Sequence, residues 1–321
     1  QIQEQSFCIE IVSILLISQA SNALNITDIS PLHTKLLNTH SIQIKNQIRL
    51  TKQFAKAKGC YGAESYIDGF SGYILEILTI HYGSFNSLLE AAVKWKEKNV
   101  IDQANLLQGK DVFMEIDISK LHSPIIVVDP TDRYRNAAAA LSVGKWKRFK
   151  FAAKNYLKSP NKSFFEIKEL SESFVQGIAK EKKRQYLYLQ LSPKGGKPDV
   201  EGCKLLKIFE YLKLKLNDFA LRECDWQWRQ GDNANMYFCV AKKKRPKYQI
   251  KKGPPLEMHE AKEQFIAKNS AREIYEDSNH LYAKVEVKER DLALVVKKVL
   301  QSKYITEKID KIIISSVNGV E

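Results

Sequence analysis

The sequence predicts an α+β fold built from more than one domain, and three observations carry that prediction. Its 321 residues exceed what one hydrophobic core commonly organises. Apolar residues recur at helical spacing through the first half, while the second half mixes helical patterns with short β-branched and aromatic runs. A composition of 44% hydrophobic and 27% charged residues is ordinary for a globular chain.

The elements follow in order. Residues 8–18 read as a buried strand, from a short β-branched apolar run. A polar loop with Asn22, Asn25, Asp28 and Pro31 follows. Ile44, Ile48, Thr51, Phe54 and Ala55 recur at helical spacing over 43–58, and Gly59 is a natural terminator. Ser71 can cap a second helix over 72–82, apolar nearly all round and so buried, which Gly83 ends. Ser84 caps a third helix to about Lys98, with Phe85, Leu88, Leu89, Ala92 and Trp95 on one face. Residues 125–128 form a short strand closed by Asp129-Pro130, and 136–156 read as a helix with a break near Gly144. Glu115-Ile116-Asp117 reads as an exposed strand inside a short insertion.

A second region begins after Ser159-Pro160. It has a strand over 186–191, a helix over 202–221, and strands over 225–229 and 236–241 joined by Gly231-Asp232-Asn233. A helix over 256–267 follows Gly253-Pro254-Pro255. This β-α-β-β-α order predicts a split-βαβ, ferredoxin-like unit, a topology shared by RNA-recognition modules and many unrelated proteins. A strand over 281–287 and a helix over 291–303 complete a small tail.

Composition narrows the function classes. The 51 Lys and Arg against 37 Asp and Glu give a net charge of +14, which implies a polyanionic partner, nucleic acid first. Three clusters concentrate it: 145–150 (KWKRFK), 180–184, and 242–247 (KKKRPK), the last followed by Tyr248. Lys and Arg there supply phosphate affinity, and the interleaved aromatics offer faces to unpaired bases. Cys8, Cys60, Cys203, Cys224 and Cys239 form no C-x-x-C pair, which argues against a zinc site and a secreted disulfide framework and for reduced thiols in a cytoplasmic protein. The six histidines are scattered. The apolar run over 9–17 is too short to cross a bilayer, lacks a basic leader and contains Glu10, so neither a membrane span nor a signal peptide is expected.

Two stretches carry more than this. Residues 62–84, GAESYIDGFSGYILEILTIHYGS, and 127–142, VVDPTDRYRNAAAALS, resemble the archaeal-type (class I) CCA-adding enzymes, the tRNA nucleotidyltransferases that build the CCA end of tRNA. The resemblance is strongest over 24–165. It implies a remnant of a nucleotidyltransferase palm over 1–33, a helical central domain with nucleotide-pocket residues over 34–158, and a ferredoxin-like or RRM-like body with an α/β tail that binds tRNA over 159–321. The G-S-x-x-x-G-T turn of the family's catalytic head does not occur in these residues. The expectation is therefore a chain lacking most of that head and inactive without it.

The reaction the resemblance implies is template-independent transfer of CMP and AMP from CTP and ATP to the tRNA 3′ end, with Mg²⁺ and release of pyrophosphate. Glu10 falls at the position of the third catalytic, metal-binding carboxylate, and Asp28-Ile29-Ser30-Pro31-Leu32-His33 matches a D-R-T-P-x-H element. His33, Lys52 and Tyr61 fall where the family contacts triphosphate and ribose, and Asp129 and Arg135 where it borders the base pocket. Lys145, Lys147, Arg148, Lys150, Lys243, Lys244 and Arg245 mark the RNA track. The chain departs from the pattern at Ile29 (usually Arg), Ser30 (usually Thr) and Asp68 (often basic). The implied partners are tRNA and nucleoside triphosphates, and a homodimer is left open. Two alternatives stand beside this reading: a non-catalytic RNA-binding remnant, and a related nucleotidyltransferase acting on another RNA.

Overall fold

Residues 11–319 are described by a computed structural model, which divides into two compact units, 1–168 and 169–321. Glu10 and Cys8 lie outside the described residues. Helices and strands are mixed throughout, as an α+β fold requires.

The first unit opens with an extended segment over 11–17. The strand expected over 8–18 is not formed in its described part, where Ile11 and Leu16 are 91% and 98% exposed. A β-branched run favours a pleated surface only when ladder neighbours exist, and none pairs with it here. What holds the segment is Asp28. Its carboxylate accepts from the backbone N–H groups of Leu15 at 2.9 Å and of Leu24 and Asn25 at 3.0 Å. These bonds, Leu15 foremost, hold the Asp28 carboxyl below its ordinary range.

Four helices follow: α1 (Ser30–Asn38), α2 (Ile42–Ala57), α3 (Gly72–Tyr82) and α4 (Phe85–Lys94). Each start has a local cause. Pro31 sits in the first turn of α1, and Ser41, Ser71 and Ser84 accept N-cap bonds from Ile44, Ile74 and Ser87. Gly83, at φ +80°, ends α3 as predicted. The third helix stops at Lys94 rather than near Lys98, because Trp95 turns into the core and its indole N–H donates to the Tyr82 hydroxyl at 3.1 Å. Next come β1 (Asn99–Asp102), α5 (Val112–Glu115), β2 (Ile125–Asp129), β3 (Asp132–Asn136) and α6 (Val143–Lys158). β1 runs parallel to β2, and β2 antiparallel to β3.

Two further expectations are corrected here. Glu115-Ile116-Asp117 is not an exposed strand: Glu115 closes α5, Ile116 is buried, and Asp117 caps a short 3-10 turn by accepting from Ser119 N–H at 2.8 Å. Local Asx capping wins over a β-like pattern. The helix expected from 136 begins at Val143, without a break at Gly144. Asn136 is committed elsewhere. Its amide accepts from Val127 and Ala138 N–H at 3.0 and 2.9 Å and donates to Lys120 O and Ser123 Oγ at 2.8 and 2.9 Å. The core centres on Phe54, whose ring meets Phe85 at 5.4 Å and Phe149 at 5.7 Å.

The second unit contains α7 (Glu172–Glu181), β4 (Gln185–Pro193), α8 (Pro198–Leu216), β5 (Leu221–Gln227), β6 (Ala234–Val240), β7 (Tyr248–Pro255), α9 (His259–Lys268), β8 (Glu273–Glu276), β9 (His280–Glu286), α10 (Leu292–Leu300), α11 (Lys303–Thr306) and β10 (Ile309–Gly319). An antiparallel sheet has the order β10-β4-β6-β5, and a separate one the order β7-β9-β8. The larger sheet buries one face under α8 and α10, through Leu205, Phe209 and Val296, and the other under α7, through Val175 and Ala179. Gly253-Pro254-Pro255 ends β7, an edge strand where proline costs no ladder bond, and the helix expected over 256–267 follows as α9, starting at His259. Cys224 and Cys239 belong to the two faces of this sheet, and burial pushes both thiols up to about 11.

Candidate functional site

The expected nucleotide-pocket residues of the first unit gather on the first turns of α3. The loop before that helix explains the glycines of the motif. Gly62 N–H donates to Phe70 O at 2.9 Å and Phe70 N–H to Cys60 O at 2.7 Å, so the chain doubles back tightly. A Cβ on Gly69 would collide with the carbonyl oxygens of Cys60 and Gly62. A Cβ on Gly72 would lie 2.9 Å from the Tyr61 hydroxyl and 3.5 Å from Lys52 Nζ, so this glycine lets both approach the helix start. Asp68 takes φ +53°, a conformation Asp tolerates, and its carbonyl accepts from Ser142 N–H at 2.9 Å.

Two clusters flank α3. In the first, Lys52 of α2 reaches Glu76 of α3 with Nζ–Oε1 at 2.5 Å. Tyr61 stands beside it over Gly72. In the second, Asp129 is fully buried and shared. Its Oδ1 accepts from the Tyr73 hydroxyl at 2.7 Å and from Thr131 N–H and Oγ1 at 2.8 and 2.7 Å. Its Oδ2 takes the Arg135 guanidinium, with His33 Nε2 at 3.5 Å. That histidine nitrogen has no hydrogen-bond partner, but its ring stacks on Tyr73 at 3.5 Å and 15°. Tyr73 and Glu76 are three apart on α3, so one helix positions both clusters.

The electrostatics follow from that sharing. Burial alone would raise the Asp129 carboxyl. His33, the backbone and hydroxyl of Thr131, and Tyr73 outweigh burial and hold it well below the usual carboxylate range. The Tyr73 phenol is pushed up, by burial first and then by the Asp129 charge. Asp129 is thus a fixed anion at neutral pH, and Arg135, with its side chain 28% exposed, is the member with donors left to offer. A cleft of about 570 Å³ borders the cluster, lined by Lys35, Leu36, Thr131, Arg133 and Tyr134 among others. A more open groove of about 940 Å³ runs along Val12, Ile14, Pro31 and Thr34 and includes none of the expected pocket residues.

The family model for the second domain of tRNA nucleotidyltransferases matches residues 46–166. A CCA-adding enzyme of Saccharolobus islandicus is 34% identical over 300 residues, covering 92% of this chain and 68% of that protein. One from Saccharolobus solfataricus is 33% identical with the same coverage. This chain belongs to the CCA-adding enzymes. A CCA-adding enzyme of Sulfurisphaera tokodaii is 29% identical over 94% of this chain and 71% of its own length. The family's reaction is nucleotidyl transfer that adds CCA to tRNA.

Within a CCA-adding enzyme a divalent ion is the usual companion of the triphosphate. Among the described residues no three His, Cys, Asp or Glu side chains come together to hold a metal, so none is assigned to them. The basic clusters sort themselves. Lys145 Nζ donates to Gly59 O at 2.7 Å, Arg148 lies over Gly59, and Lys150 donates to Trp95 O with its ammonium 4.4 Å above the Trp146 ring. Lys147 is exposed. In the second unit Arg245 donates to Glu289 O at 2.6 Å and pairs with Asp218 at 3.8 Å, while Lys243 and Lys244 are exposed. Sequence reading missed Tyr73, Glu76 and Thr131. The D-x-T spacing of 129–131 is an Asx-turn signal that points to Thr131; nothing local points to Tyr73, which sits in an all-round apolar helix.

Proposed function

We propose that the first unit selects the incoming nucleotide and the second, with the exposed basic residues, grips tRNA during CCA addition. The Asp129 cluster carries this reading. A buried, permanently ionised carboxylate that fixes one partly exposed arginine makes a rigid donor fork, which can read the acceptor edge of a base as a partner base would. Lys52, beside Tyr61 and the positive N-terminal end of α3, supports a triphosphate site in which the phosphates compete with Glu76 for the ammonium. His33, stacked on Tyr73 with Nε2 3.5 Å from Asp129 Oδ2, would complete the ribose and phosphate contacts by turning that nitrogen from the carboxylate to the substrate. CTP and ATP are the proposed substrates, and Mg²⁺ the divalent ion. The assignment of Glu10 to catalysis and metal binding, and of 1–33 to a palm, rests on sequence alone.

For the second unit the order β10-β4-β6-β5, with α8 and α10 on one face, supports a ferredoxin-like body over 159–321. No helix among the described residues is long and apolar enough to cross a membrane, and a cytoplasmic site of action is proposed from the tRNA substrate.

The test is a four-nucleotide kinetic comparison in the full-length enzyme, on tRNA ending before and after the second C. Arg135→Ala should relax discrimination among CTP, ATP, UTP and GTP by roughly 1–3 kcal/mol, with tRNA affinity held. Lys52→Ala should raise KM for every nucleotide alike. Unchanged nucleotide ratios in Arg135→Ala would make that arginine structural and remove the proposed base pocket.

A further inference from the structure

The solvent face of α6 has no use within the first unit's fold. The helix carries Lys145, Lys147, Arg148, Lys150, Lys154 and Lys158, and no carboxylate. Its buried stripe is Trp146, Phe149, Ala152 and Ala153. On the opposite side Lys147, Phe151, Lys154 and Lys158 follow at intervals of four, three and four, one continuous helical stripe. It spans about 16 Å at 1.5 Å per residue. The three lysines are exposed and pair with no carboxylate among the described residues, and Phe151, at 67% exposure, touches no other ring. Neighbouring like charges repel and a phenyl ring in water gains nothing, so both features oppose folding rather than help it.

A polyanion with a flat unpaired face relieves both at once. Helix α6 also begins beside the loop that carries Tyr61. Lys145 at the first turn of α6 is bonded to Gly59 O, two residues before Tyr61, and the residue capping α6 is bonded to Asp68 O in the same loop. We propose that the α6 face binds the single-stranded 3′ end of the RNA substrate, with phosphates on Lys147, Lys154 and Lys158 and an unpaired base stacked on Phe151. This rests on the tRNA reading above and assigns it a place: the strand that must deliver its 3′ hydroxyl to the pocket runs along the helix that starts there.

The experiment is a fluorescence anisotropy titration of the full-length protein across a salt series. The two probes are tRNA ending after the second C, whose 3′ end carries three unpaired nucleotides, and a blunt acceptor-stem duplex with no unpaired nucleotide. Phe151→Ala should weaken tRNA binding roughly tenfold and leave the duplex unchanged, with Phe151→Trp restoring affinity. The triple variant Lys147→Gln, Lys154→Gln, Lys158→Gln should reduce the slope of log K against log salt by about 2, at ~0.7 per phosphate on a single strand. Melting curves of all variants should match wild type, since every changed side chain is exposed. An equal loss on both RNAs, or none, in Phe151→Ala overturns the stacking site. An unchanged slope in the triple variant overturns the phosphate track. If Phe151→Ala instead lowers the sedimenting mass with RNA affinity intact, the face is a protein interface and the inference fails. Wild-type protein that does not bind tRNA at all sinks the underlying reading, whereas wild-type binding with unaffected variants sinks this inference alone.

Discussion

Around Asp129, one buried carboxylate is shared among Tyr73, Thr131 and Arg135, with His33 beside it, and both of its oxygens have a use inside the fold. Along α6, three lysines and a phenylalanine have none. Both regions belong to the first unit, yet they use charge in opposite ways. The buried cluster turns charge into geometry: it holds one guanidinium in a set direction and is shielded from salt. The open stripe turns charge into reach: it attracts any phosphate chain and weakens as salt rises. Selectivity between four bases needs the first kind, and grip on a backbone common to all tRNAs needs the second.

That contrast can be broken at several points. The largest effect is expected from Asp129→Ala, which strands Arg135, Tyr73 and Thr131. It should cost about 3–5 kcal/mol in a urea denaturation series. A loss under about 1 kcal/mol would show that the cluster is not a shared anchor. The pH dependence sharpens the point. A carboxyl held low in the folded state contributes stability that is present above its unfolded pKa of about 3.9 and is lost as pH falls through the folded value. The stability gap between wild type and Asp129→Asn should therefore narrow steadily below about pH 3.9, measured by melts in acid buffers.

Tyr73→Phe comes next. It keeps the stack on His33 and removes one hydrogen bond to a charged acceptor, worth about 1.5–3 kcal/mol. In the full-length enzyme it should blur the choice between CTP and ATP while tRNA affinity stays level. Equal losses in both would assign Tyr73 to general packing. Ser71→Ala removes the cap of the helix that carries both clusters and should cost about 1 kcal/mol. The smallest effect belongs to the stripe: Lys147→Gln and Lys154→Gln should each move stability by less than about 0.5 kcal/mol. A clear loss there would mean that α6 has internal partners after all.

What the sequence revealed follows from how local each cause is. Ser71, Gly83 and Ser84 act on their own neighbours, so the limits of α3 and the start of α4 could be read directly. The run over 8–18 could become a strand only beside a ladder partner, whose presence no pattern within the run can report. The helix start at Val143 depended on Asn136 bonding to Lys120 and Ser123, again non-local. At the candidate site, His33, Lys52, Tyr61, Asp129 and Arg135 came from family spacing, whereas Tyr73 was hidden because a largely apolar helix offers no clue to which ring faces a charge, and Glu76, the one carboxylate of α3, gave no local sign that its partner lies on α2. The run 145–150 misleads for a simple reason. Successive helical residues point about 100° apart, so a basic run seen as one patch becomes Lys145 and Lys150 bonded inward and Lys147 pointing out.

Between β6 and α10 the second unit departs from its main sheet to build β7, α9, β8 and β9, and then returns. The two limbs of that excursion are stitched together where they meet. Arg245 N–H donates to Arg290 O at 3.0 Å, Val287 N–H donates to Lys247 O at 2.8 Å, and Lys244 bridges Asp291. Its strands share no ladder with the larger sheet. The junction is therefore a ready splice point. Lineages could lengthen, trim or exchange this module between Lys247 and Val287 with the ladder of the larger sheet left whole, at the loss of the Gln249 bond to Asp218, and a protein engineer could replace it with a two-residue turn.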